Sequence, residues 1–297
     1  MANIPVIKGL NGSVTALAYS PDGKTVAAAD GGFDLTLWDV SSGKSERKIA
    51  GLANGTGRVC WSPDGKTVYG TSGNDLLAWN AATGKEKLKI KGEMTGTAPS
   101  LIALSRDGKI IAATGRGRLK LWKTTDGTVL GEYEPHPNYG INWVAFSPDG
   151  RHVVTAAADR KAQLTATADG AQIETYTCMG RVLAAEFSPD GKTLFLADQT
   201  QTLHQIKVAT GTDEPAPPLT RDAVRIAVSP DGQLVACAAA TLQLWSRKEK
   251  QWHARPFTDS SVGATAVEFS PDGKTLACGD AEGRIHFWST KELLGAK

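Results

Sequence analysis

Apolar and polar positions fall in short alternating blocks along this chain. Val14-Thr15-Ala16-Leu17-Ala18-Tyr19 is a run of apolar, strand-forming residues. Ser20-Pro21-Asp22-Gly23 interrupts it, and Lys24-Thr25-Val26-Ala27-Ala28-Ala29 follows. Runs this short, bounded by turn residues, predict strands rather than helices. Pro suits the fixed φ of the first central turn position, Asp suits the second, and Gly accepts the left-handed conformation after them. The two runs therefore make a hairpin. A polar loop leads to a third strand, Leu35-Thr36-Leu37-Trp38, and the Gly-containing turn Ser41-Ser42-Gly43 opens a fourth.

This block recurs. Ser-Pro-Asp-Gly stands at Ser20, Ser62, Ser147, Ser188, Ser229 and Ser270, with Ser-Arg-Asp-Gly at Ser105; successive spacings are 42, 43, 42, 41, 41 and 41 residues. Four short strands in each of seven periods of this length predict the blades of a β-propeller. The seven periods occupy almost all of the 297 residues. The expected fold is all-β, a closed seven-bladed propeller forming a single unit over 1–297 with four antiparallel strands per blade. An open ring would expose a strand edge, so the apolar stretch Ile4-Pro5-Val6-Ile7, within residues of about 3–9, is expected to supply the fourth strand of the last blade.

The repeat resembles the WD-repeat family over the whole chain. The resemblance rests on Ser-Pro-Asp-Gly-Lys-Thr, on a Trp closing the third strand (Trp38, Trp79, Trp122, Trp245, Trp288) and on the pair Trp38-Asp39. The style of the repeat is that of bacterial members. Thr165 and Ile206 stand where the fourth and fifth repeats should carry Trp, and the Gly-His pair usual before the first strand is missing. The family's buried Asp-His-Ser/Thr-Trp network is therefore expected to be mostly lost, leaving stability to packing between blades. Each buried Trp hides about 150–250 Å², roughly 4–6 kcal/mol of gross burial at about 25 cal/mol per Å². The two blades without Trp are expected to be the softest.

Composition narrows the function only a little. A net charge of +2 forces neither a nucleic-acid nor a membrane reading. The four cysteines form no CxxC pair. A reducing, cytoplasmic setting is expected. No hydrolase, nucleotide-loop or metalloprotease motif is present, and the five histidines lack the spacing of a metal site on one strand or helix. The expected roles are thus no catalytic residue, no metal ligand and no cofactor. The seven turn aspartates read as turn chemistry rather than as a carboxylate ring.

What remains is recognition. The resemblance implies a protein-interaction scaffold that docks partners on the face carrying the loops before the first and after the second strand. In those loops the candidates are Arg58, Arg116, Arg118, His136, Tyr139, Trp143, Arg160, Arg181 and Arg225. Tyr and Trp on rigid loops resemble interface anchors. The plainer alternative places Tyr133 in a fourth strand and Trp143 between blades. The loops of blades 2–6 read as basic, whereas blades 1 and 7 read as acidic through residues such as Asp30, Asp34 and Asp280. A protein partner of acidic character is expected, with the chain acting as a monomer or as a module of a larger protein, and neither nucleic acid nor a membrane as the partner. Two alternatives stay open. One is a lactonase-like or quinoprotein-like enzyme with a site in the central channel, against which the first strands are mostly Ala, Val, Leu and Ile, with Arg58 and Arg225 as the polar exceptions. The other is nucleic-acid binding through the basic loops.

Overall fold

The computed structural model describes residues 5–49, 52, 57–73, 75–91, 101–219, 223, 225–239, 241–255 and 263–295. Within them the chain forms seven antiparallel sheets, blades 1–7 in chain order, each hydrogen-bonded only between sequence neighbours. The innermost strands are Val14–Tyr19, Cys60–Trp61, Ile102–Leu104, Ile141–Phe146, Val182–Phe187, Arg225–Val228 and Ala264–Phe269. Five blades carry four strands; in blades 5 and 7 the fourth position is held by a bridge, Ile206 with Asp213 and Ile285 with Ile7.

The hairpin turns form as their composition dictates. In blade 1 the Ser20 hydroxyl donates to Asp22 Oδ1 at 2.6 Å and accepts from the Thr25 amide, while Lys24 N donates to the same carboxylate. Gly23 takes φ 72°, the left-handed region in which a side chain is strained. The Ser-to-Asp bond recurs in all seven repeats. It holds the Asp22, Asp64, Asp107, Asp149, Asp190 and Asp272 carboxyls below the usual carboxylate range, the Ser hydroxyl first and the backbone amide second. These aspartates serve the turns.

The core lies between blades. Apolar clusters join blades 7 and 1, 1 and 2, 2 and 3, 3 and 4, and 6 and 7, and the largest spans blades 4, 5 and 6. Trp38, Trp79, Trp122 and Trp245 are buried at equivalent register positions, and Thr165 and Ile206 occupy the same register positions in blades 4 and 5. The expected softness of those two blades does not match their packing. They belong to the largest cluster, which fully buries Phe195, Leu194 and Leu196 of blade 5. In blade 5 the bulk lost at the third strand is restored on the second.

The ring is latched where closure was expected. Ile7 is fully buried and exchanges both backbone bonds with Ile285 at 3.0 Å. A short helix, Thr290–Leu293, then packs Leu293 against the cluster of blades 6 and 7.

Candidate functional site

The nine residues singled out in the sequence separate into two groups. Arg58, Trp143 and Arg225 meet in the central channel. Trp143 is 3% exposed, so it packs in the interior, as the plainer alternative held. The Arg58 guanidinium lies 4.4 Å from the centre of its ring and that of Arg225 lies 5.3 Å from it. Arg58 also crosses from blade 2 to donate to the Val144 carbonyl of blade 4 at 2.7 Å and to Glu186 Oε2 of blade 5 at 3.4 Å. These arginines are inward-facing rather than loop-face anchors, because cation–π and charged bonds within the channel hold them.

Two acidic residues were missed by the sequence reading. Glu186 and Glu268 project into the channel, where Tyr19, Arg58, Arg106, Phe146, Glu186 and Glu268 wall two adjoining cavities of about 370 and 340 Å³. Burial pushes the Glu268 carboxyl up to about 7; Arg58 pulls it down and Glu186 pushes it up. Burial also raises Glu186, against the pull of Arg58. Burial, aided by Arg58, brings Arg225 down to about 10. The signal was present: these blades read Ala-Glu-Phe and Val-Glu-Phe before the turn, where blades 1, 4 and 6 have Ala in the place of Glu.

The second group lies on the outer loops. His136 was expected as an exposed anchor, but it is 0% exposed. Its Nδ1–H donates to Asp159 Oδ2 at 2.9 Å, and its Nε2 accepts from the Thr155 hydroxyl at 3.0 Å. The network expected to be mostly lost thus survives in blade 4, without its Trp. It pins the loop above. Tyr139 N donates to the His136 carbonyl, and His136 N donates to the Gly117 carbonyl. Gly117 must be glycine: a Cβ there would stand 2.1 Å from the His136 oxygen, at a φ of 81°. Ala158 N donates to the Gly140 carbonyl, and Cys178 N to that of Arg160. Loops of blades 3, 4 and 5 are in this way stitched together.

On this stitched rim Arg116, Arg118, Tyr139, Arg160 and Arg181 are exposed, Arg118 paired with Glu132 at 3.0 Å. Tyr139 is 50% exposed and Met179, unremarked in the sequence, 82%. The acidic counterpart is weaker than expected. Asp30, Asp198 and Asp280 are buried and accept loop amides, and Asp159 is engaged by His136. Arg221 and Asp222 lie outside the described residues.

Burial pushes the thiols of Cys60 and Cys178 up to about 11 and 12, and raises those of Cys237 and Cys278 as well. Among the described residues one trio of metal-ligand side chains converges: Cys178, Asp198 and His204. Among the described residues no helix is long and apolar enough to cross a membrane.

The family model described as WD domain, G-beta repeat matches residues 4–39, 127–164 and 253–289. The chain is a WD-repeat β-propeller. An uncharacterised WD repeat-containing protein of Synechocystis sp. is 35% identical over 155 residues, covering 52% of this propeller and 44% of that protein. Autophagy-related protein 16 of Arabidopsis thaliana is 25% identical over 157 residues, covering 52% and 30%. The WD-repeat propeller thus spans less than half the length of these relatives. Proteins of this kind generally act as scaffolds for protein interactions.

Proposed function

We propose that this propeller is a non-catalytic scaffold that binds an acidic protein partner through the loop face over blades 3–5. One observation carries the reading. Tyr139 and Met179, both strongly exposed, flank Arg160 on loops pinned from beneath by buried His136. Exposed aromatic and Met side chains beside Arg are the composition of interface anchors, and a rigid loop loses little freedom on binding. Arg116 and Arg181 extend the positive field that would steer an acidic partner. In contrast, the channel groups are engaged with one another.

Wild type and the triple variant Arg116→Ala, Tyr139→Ala, Arg160→Ala should be immobilised side by side and exposed to extract of the source cells. Both should melt alike. Proteins held by the wild type and released by moderate salt should be missing from the variant. Equal retention on both would defeat this choice of face.

A further inference from the structure

We propose that Cys178, Asp198 and His204 form a binding site for a thiophilic divalent cation, zinc by its chemistry, beneath the loop that carries Met179 and Arg181. Thiolate, carboxylate and imidazole donors lie within 4.8 Å of one another in blade 5. They come from three segments: the loop entering the innermost strand, the end of the second strand, and the third strand.

The histidine is set up as a ligand. Its Nδ1–H donates to Asp213, a carboxylate that can only accept. The other nitrogen, Nε2, therefore carries the lone pair. That atom is buried and has no hydrogen-bond partner. The nearest carboxylate oxygen, Asp198 Oδ2, is 3.6 Å away, too far for a hydrogen bond. A tetrahedral zinc with bonds of about 2.0–2.2 Å holds nitrogen and oxygen ligands roughly 3.3–3.5 Å apart, so the observed gap needs almost no adjustment. Asp213 is in turn fixed by the Gln205 amide at 3.1 Å and by its bridge to Ile206. A carboxylate orienting the far nitrogen of a ligand histidine is the usual outer support of such sites.

Blade 7 shows what a filled version of this corner looks like. There Asp280 and His286 occupy the same register positions as Asp198 and His204. A cation is present: Arg284 Nε donates to Asp280 Oδ2 at 2.7 Å, and His286 Nε2 approaches the same oxygen at 3.0 Å. In blade 5 the position of Arg284 is Thr202, and Cys178 and Asp213 have been added. A positive side chain has been exchanged for one further donor, Cys178, and a carboxylate, Asp213, that orients the histidine. The soft sulfur ligand selects zinc over calcium or magnesium. Three protein ligands leave the fourth position to water or to a partner's side chain.

The test uses the intact chain, stripped with a chelator and then titrated with zinc alone or cobalt alone. The expected result is one zinc per chain, a raised melting temperature with zinc, and a thiolate-to-cobalt charge-transfer band. Cys178→Ser should remove the band while Cys60→Ser keeps it. Asp213→Asn, at a partly exposed position that leaves all three ligands in place, should weaken zinc about 10–100-fold. His204→Gln should abolish the melting shift. Absence of a zinc-dependent melting shift in the wild type, or a shift undiminished in both Asp213→Asn and His204→Gln, would overturn the site.

Discussion

Blades 5 and 7 start from the same corner, a buried aspartate closing the second strand and a histidine on the third, and finish it differently. In blade 7 the corner is closed by the chain itself. Asp280 accepts the amides of Glu282 and Arg284, the Arg284 side chain and His286, and these outweigh burial to hold its carboxyl below the usual range. In blade 5 Asp198 accepts the amides of Gly180, Thr200 and Thr202 and the Thr200 hydroxyl, with no guanidinium at the position of Arg284. One corner is a self-contained structural lock, while the other retains its loop bonds but keeps a set of donors pointing at a common space. The difference teaches that a repeat protein can convert a stabilising corner into a binding corner with three substitutions, because the backbone around it is supplied by the repeat.

The largest effect expected from this comparison is at the closed corner. Asp280→Ala removes the buried acceptor shared by two loop amides, the half-buried Arg284 and His286, and should cost about 3–5 kcal/mol. Asp198→Ala in zinc-free protein should cost about 1–3 kcal/mol, since mainly amides and a hydroxyl lose their acceptor. Urea unfolding of the two variants measures both; equal losses would mean the corners are not different in kind. The channel provides an internal standard of comparable size. Glu268 titrates near 7 in the folded chain against about 4.5 when unfolded, so its stabilising protonation is fully present below about pH 4.5 and lost as pH rises through about 7. Stability should fall by roughly 1–3 kcal/mol between pH 5 and 8 from this group, and Glu268→Gln should flatten that slope in melts at the two pH values. A slope unchanged in the variant would assign it elsewhere.

Smaller and more pointed is the attempt to turn blade 5 into blade 7. Thr202→Arg should place a guanidinium beside Asp198, raise zinc-free stability by about 1 kcal/mol and erase the melting response to zinc. Retention of the response would show that the two corners are not interchangeable. The smallest effect belongs to the rim: Tyr139→Ala and Met179→Ala should each change stability by less than about 0.5 kcal/mol, measured by the same unfolding curves. A larger loss would mean these side chains pack inward.

Most of the fold was legible because its signals are local. A Ser, a Pro, an Asp and a Gly in sequence contain all the chemistry of their own turn, and seven copies at nearly constant spacing leave little choice of architecture. The sites were legible only in part because their partners are distant. His136 sits between two prolines in a polar loop and looks exposed; its partners Thr155 and Asp159 come 19 and 23 residues later. Arg58 finds Glu186 across 128 residues. His204 was set aside because no second ligand shares its strand, yet Asp198 reaches it from the neighbouring strand and Cys178 from the loop before that. In a ring, residues far apart in the chain face each other across the axis or across a blade gap, and no window of sequence contains both.

The backbone exchange between Ile7 and Ile285 gives the disc a mechanical weak link. All other neighbouring blades follow one another along the chain, whereas blades 7 and 1 meet through this clasp, the bond of the Thr265 hydroxyl to the Val14 carbonyl and the apolar cluster behind them. A pull applied near residues 5 and 295 would load the clasp before any interior hairpin. A single-molecule extension trace should therefore begin with the release of residues before Val14, followed by the larger steps of blades peeling away.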